Sequence, residues 1–128
     1  MDNRETNNST LGAGTKLKSK VIIDLLFSEG KSLRKGALRC VYRLDARSKG
    51  IQIGFSVSKR NIKKAVDRNR VKRLMREAYR LNQSVLKLES STSLHIMFLY
   101  QSGKMPDYKQ MENLMIATLK SLNHRLKP

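Results

Sequence analysis

The feature that most constrains this chain is a 22-residue block, Lys59 to Arg80, that is at once strongly basic and patterned as an amphipathic helix. Ten of its residues are basic (Lys59, Arg60, Lys63, Lys64, Arg68, Arg70, Lys72, Arg73, Arg76 and Arg80) and only Asp67 and Glu77 oppose them, so it holds +8 of a formal +17. From about Ala65, the residues Val71, Leu74, Met75, Ala78 and Leu81 recur at i, i+3, i+4, i+7 and i+10, and the helix extends toward Val85 to Leu88. At 100° per residue, Asn69, Arg73, Arg76 and Arg80 form a second stripe roughly opposite, flanked by Arg68, Arg70 and Lys72. Such a segment packs with one face and offers guanidinium groups with the other. A solvated face of i,i+4 ion pairs is the ordinary alternative. It is weak here, because two acids cannot pair with ten bases and like charges at that spacing destabilise a helix. The block calls for a polyanion. Arginine outnumbers lysine between Arg68 and Arg80, which suits bidentate phosphate contacts and a shaped, folded RNA.

The rest of the composition narrows the class. A length of 128 residues fits one compact domain, expected over residues 16–128, with a polar, Gly-containing tail over 1–15 expected to be disordered. Aromatics are 5% and Trp is absent, which argues against an aromatic-caged ligand pocket. The longest apolar stretch, Leu94 to Tyr100, is interrupted by His95 and far too short to cross a bilayer. A membrane surface is the rival polyanion, but it usually calls for a basic amphipathic helix with exposed large apolar residues. The sequence from Met1 has no apolar signal-peptide core, so a cytoplasmic protein is expected. The single cysteine, Cys40, lies in an apolar strand-like run and reads as a small buried hydrophobe.

The remaining elements follow from periodicity. Val21, Ile22, Leu25 and Leu26 predict a short helix over about 18–29, with Gly30 where a C-terminal cap would sit. Leu38 to Leu44 alternates Leu38, Cys40, Tyr42 and Leu44 against Arg39, Val41 and Arg43, a half-buried strand. A turn-rich loop leads to Ile51, Ile53, Phe55 and Val57, which alternate with Gln52, Gly54, Ser56 and Ser58. This is a second strand, expected to form a hairpin with the first. Its polar face carries only small or uncharged groups, so a bound RNA strand could approach the backbone there. A Ser-rich break over 89–93 precedes the buried strand Leu94 to Tyr100. A final helix opens at Pro106-Asp107, with Asp107 and Gln110 spaced as a capping box and Met111, Leu114, Met115, Thr118 and Leu122 as its buried stripe. The order helix, strand, strand, helix, strand, helix describes a small α+β sandwich.

Two stretches also resemble a known family. Gly54-Phe-Ser-Val-Ser-Lys59, followed by Ala65-Val-Asp-Arg-Asn-Arg-Val-Lys-Arg-Leu-Met-Arg-Glu-Ala-Tyr79, resembles the signature of the bacterial ribonuclease P protein subunit. Upstream, Leu26-Phe27-Ser-Glu-Gly30-Lys31 resembles the family's helix ending in Phe-x-x-Gly-Lys. The resemblance implies a four-stranded sheet with three helices, an additional short strand near Lys31 to Leu33, and a left-handed βαβ crossover. It implies that a large catalytic RNA and its magnesium ions remove the 5′ leader of precursor tRNA, while the protein docks on that RNA and receives the leader in a cleft. By position, Arg68, Asn69, Arg70, Lys72, Arg73 and Arg76 match the RNA-docking motif, with Lys59, Arg60 and Arg80 extending the basic surface. Phe27 matches one leader-contacting aromatic, and a second position falls on Ile23, where the family commonly has Phe. Ungapped alignment puts the family's strand aromatic at Val41, with Tyr42 one residue away; Tyr42, Ser56 and Ser58 complete the expected leader cleft. Asn61 to Lys64 departs from the pattern: the loop is one residue longer, with Lys63 where a glycine is usual.

Other chemistries fit less well. His95 and His124 could suggest a two-histidine ribonuclease, which needs both imidazoles converging on one phosphate. No carboxylate cluster, HExxH or Cys/His spacing suggests a metal held by the protein, so magnesium is expected mainly on the RNA. A ribosomal-type RNA-binding or RNA-chaperone protein fits the charge equally well, and only the Arg-Asn-Arg signature separates it. A DNA-binding regulator fits poorly, because no helix-turn-helix pair precedes the basic helix.

Overall fold

The computed structural model describes residues 20–44, 50–88 and 93–126; the expected tail over 1–15 lies outside them, as does most of the two polar breaks. Along the chain run α1 (Lys20–Glu29), β1 (Lys31–Lys35), β2 (Leu38–Leu44), β3 (Ile51–Val57), α2 (Ala65–Asn82), β4 (Leu94–Tyr100) and α3 (Tyr108–Leu126). The four strands form one mixed sheet in the order β1-β2-β4-β3. β1 and β2 make a hairpin whose two-residue turn is led by Gly36 at φ +57°, a conformation that a side chain would strain.

The hairpin expected between β2 and β3 does not form. β4 lies between them, antiparallel to β2 and parallel to β3, and reaches that place through the α2 crossover. The cause is β4 itself. Six of its seven residues are buried, so it is apolar on both faces and needs a strand on each side; a β2–β3 hairpin would push it to an edge.

The sheet therefore has two buried faces. On one, Leu38, Cys40, Tyr42, Ile53, Ile96 and Phe98 pack against Val71, Met75, Ala78 and Tyr79 of α2 and against Met111, Met115, Leu119 and Leu122 of α3. On the other, Val41 and Met97 form a small cluster with Leu26 of α1, with Ile22, Ile23 and Leu99 packed around it. α1 ends against Gly30, whose φ is not positive. A Cβ there would stand 2.2 Å from the Leu26 carbonyl oxygen and 3.0 Å from that of Tyr42, so glycine is required by close approach.

Two further expectations are adjusted. α2 stops at Asn82 and gives way to a single 3-10 turn over Gln83–Val85, rather than running to Leu88. Its buried stripe is Val71, Met75, Ala78 and Tyr79, while Leu81 is exposed, because Tyr79 stacks at a tilt on Phe98 and turns the helix that way. α3 opens with the expected capping box: Gln110 N–H donates to Asp107 Oδ1 at 2.8 Å, and Asp107 N–H donates to Gln110 Oε1 at 2.9 Å.

Candidate nucleic-acid interface

The outer face of α2 divides its basic residues by what each already touches. Asn69, Arg70 and Arg73 are exposed, and among the described residues no ion pair engages either arginine. Lys72 is half-buried beside them. Arg76 lies over the Phe55 ring, with its guanidinium carbon 5.6 Å from the centroid, and Phe55 in turn stacks on Phe98 at 5.7 Å. A guanidinium seated on a ring keeps its edge donors free while its direction is set. Arg80 differs, since its Nε and Nη2 donate to the two Glu77 carboxylate oxygens at 2.6 and 2.7 Å. That fork holds the Glu77 carboxyl below the usual range and leaves Arg80 compensated at the far end of the stripe.

Arg68 turns inward toward the loop before the helix. Its Nη1 donates to the carbonyl oxygens of Ile62 at 3.0 Å and Lys63 at 2.6 Å. Ser58 holds the other end, with its carbonyl accepting from the N–H groups of Asn61 and Ile62 at 3.2 and 3.1 Å. The longer loop is accommodated without a left-handed residue, because Gly36 and Gly50 alone have positive φ among the described residues. Lys63 therefore needs no glycine. Lys59 and Arg60 stand exposed in this loop, at the carboxyl end of β3.

The opposite face of the sheet is read from the strand register. Arg39, Val41 and Arg43 share it with Leu99, Met97 and His95, and with Ser56, Gly54 and Gln52. Phe27 projects from α1 with 45% of its surface exposed, and Ile23, one turn earlier, packs on the Leu26–Val41–Met97 cluster. Ser56 lies on this face and Ser58 just beyond the strand. Tyr42 does not. It is 5% exposed and belongs to the core under α2 and α3, so it cannot share a cleft with Phe27. The strand's period of two makes Val41 the residue that faces α1.

The two histidines do not converge. His95 is fully buried on the α1 face, whereas His124 is exposed near the end of α3, which packs on the other face. Cys40 is buried, and burial pushes its thiol up to about 12. Among the described residues no group of three His, Cys, Asp or Glu could hold a metal ion, and no helix is long and apolar enough to cross a membrane. Two features escaped the sequence reading, the Arg68 clamp and the Phe55 platform. Both depend on contacts between elements whose spacing in the chain carries no periodic signal.

Comparison with known proteins gives consistent matches. The family model for ribonuclease P matches residues 11–123. The ribonuclease P protein component of Porphyromonas gingivalis is 39% identical over 102 residues, covering 76% of this chain and 74% of that protein. That of Alkaliphilus metalliredigens is 32% identical over 111 residues, covering 86% and 95%. Among solved structures, the Staphylococcus aureus RNase P protein aligns with a TM-score of 0.71 at 21% identity, covering 84% of this chain and 94% of that one. The Thermotoga maritima protein aligns at 0.67 and 23%, covering 88% and 98%.

Proposed function

Because the chain belongs to the bacterial ribonuclease P protein family, we propose that α2 and the loop before it dock on the enzyme's RNA, while the α1 face of the sheet receives the 5′ leader of precursor tRNA. The family's role is to bind the RNA subunit and the tRNA substrate of the 5′-processing enzyme, and the RNA carries out catalysis. The observation that carries the docking assignment is the run Asn69, Arg70 and Arg73, exposed on a helix whose other side is core. Phosphates bound there replace the missing counter-charges. Arg76 acts from its Phe55 platform, Lys72 and Lys59–Arg60 add charge at the margins, and Arg68 shapes the loop. Arg80, already paired, marks where the face ends.

For the leader, the supporting features are the exposed Phe27 ring, which gives a base a surface to stack on, and the small residues Gly54 and Ser56, which let a strand lie close. Ile23 and Val41 supply apolar floor in place of aromatic rings. Magnesium is assigned mainly to the RNA, because in this family the RNA carries out the catalysis. The partners are RNA rather than duplex DNA, because α2 follows a strand and lacks the helix-turn-helix partner. The setting is the cytoplasm.

Reconstitution with the cognate catalytic RNA tests the assignment. The protein is expected to restore leader removal at low magnesium, where the RNA alone is slow, by placing cationic charge beside the leader. Equal cleavage with and without protein across the magnesium range would overturn it.

A further inference from the structure

The α1 face of the sheet carries a charge arrangement that packing does not account for. Arg34 of β1 and Arg39 of β2 are directly opposed across the hairpin, and the register places both on the side of Val41 and Met97. Like charges in that position destabilise a sheet. The third arginine of this face, Arg43, has Glu29 at 3.4 Å. Arg34 and Arg39 have no acidic partner among the described residues. Arg34 is fixed nonetheless: its Nε donates to the Gly36 carbonyl at 2.8 Å, which holds the guanidinium over the turn with its terminal nitrogens free.

We propose that Arg34 and Arg39 form an anion clamp for a phosphodiester of the precursor's 5′ leader, beyond the part of the leader that meets Phe27. The register supplies the path. Arg34, Arg39, Leu99 and Ser56 are successive neighbours in one row across all four strands, at the end of the sheet where the Ser58–Lys64 loop leaves β3. The row is about 14 Å long, three strand spacings. It begins beside Ser56 and the basic loop, passes the partly buried Leu99, and ends at the two arginines. α2 packs on the other face, so a folded RNA seated on its outer side lies away from this row. A flexible single strand can reach it, and the charge sign selects a phosphate.

The proposal rests on the leader reading above, and the experiment separates the two. The holoenzyme is assembled with wild-type protein and with the double variant Arg34→Gln/Arg39→Gln. Affinities are measured for mature tRNA, a precursor with a short leader and one with a long leader. The variant is expected to bind the long-leader precursor roughly fivefold more weakly near 0.1 M salt, with a log K against log salt slope flatter by about 0.7, as for one single-strand phosphate contact. Mature tRNA and the short leader are expected to be unaffected. The melting temperature of the free protein is expected to hold or rise, because a repulsive pair has been removed. Equal losses for all three RNAs, or no loss for the long leader, overturn the clamp while leaving the leader reading intact. A wild-type enzyme indifferent to leader length overturns the leader reading and the clamp with it.

Discussion

Arg73 and Arg68 are five residues apart in the same basic helix, but the structure assigns them different physics, and salt dependence distinguishes them. Arg73 is exposed, and no ion pair engages it among the described residues, so in the proposed docking it is expected to neutralise a phosphate and displace a counterion. Each such contact contributes about 0.7–0.9 to the slope of log K against log salt, so the affinity ratio of wild type to Arg73→Gln should shrink about fivefold to eightfold over a tenfold rise in salt. Arg68 instead spends Nη1 on the Ile62 and Lys63 carbonyls. A charged hydrogen bond contributes about 1.5–3 kcal/mol, less where the carbonyls can turn to water, so Arg68→Gln should weaken docking about fivefold by loosening the loop. Its deficit should stay constant with salt, because the number of phosphates met is unchanged. Titration of each protein against labelled catalytic RNA at several salt concentrations gives both slopes. A wild-type slope for Arg73→Gln would refute the docking face, and a flattened slope for Arg68→Gln would make Arg68 a phosphate ligand.

Phe27→Ala should weaken precursor tRNA about fivefold to hundredfold while sparing mature tRNA, the range for losing a stacked base; equal losses with a lower melting temperature would make the ring a packing residue. Gly30→Ala should lower the melting temperature by several degrees, since the new Cβ meets two backbone oxygens that no rotamer change can move, and an unchanged melt would refute the close approach. Burial raises the Cys40 thiol from 9.0 to about 12, so the protonated thiol is favoured by folding, and stability present below pH 9 is lost as pH rises toward 12. Denaturation midpoints of Cys40→Ala should therefore fall less steeply with alkaline pH than those of wild type, and parallel curves would contradict it. Tyr79, raised from 10.0 to about 12 by burial, contributes in the same direction to both proteins.

Where one periodicity dominated, the sequence was informative. The capping box of α3 and the bounds of β2 and β4 follow from local spacing alone, and so do Val71, Met75 and Ala78 of the α2 stripe, whereas Tyr79 in place of Leu81 does not. Strand order did not follow. Alternation in β2 and β3 says that each has two faces but not which strand lies beside it, and the tie was decided by the burial demand of β4 on both sides. Tyr42 shows the same limit on a single residue. Tyr42 and Val41 are both apolar and adjacent, so composition cannot decide which one meets α1, whereas the register with Ile96 and Met97 settles it. The roles of Arg68 and Arg76 were hidden for a different reason. Both lie in a run of arginines equivalent by charge, and they differ only in having a carbonyl pair or an aromatic ring within reach.

The two surfaces proposed to meet RNA are also built with different rigidity, and this suits what each would recognise. α2 buries four residues along 18, packs on both β3 and α3, and has Arg76 seated on a stacked pair of rings, so its donors are positioned before any RNA arrives. A folded RNA presents phosphates at fixed spacing, and a preorganised face loses little entropy in meeting them. α1 has ten residues, of which Leu26 alone is fully buried, and no acidic residue lies in its first turn. With so little apolar contact, its local opening free energy lies well below that of the core under α2 and α3. Leaders differ in sequence from one precursor to another, so a wall that adjusts around the Leu26–Val41–Met97 cluster can accept different bases. Hydrogen exchange on the free protein should show α1 amides opening well before those of α2. Binding of a leader oligonucleotide should slow exchange in α1 while leaving the α2 core amides unchanged. Equal protection of the two helices in the free protein would contradict this division.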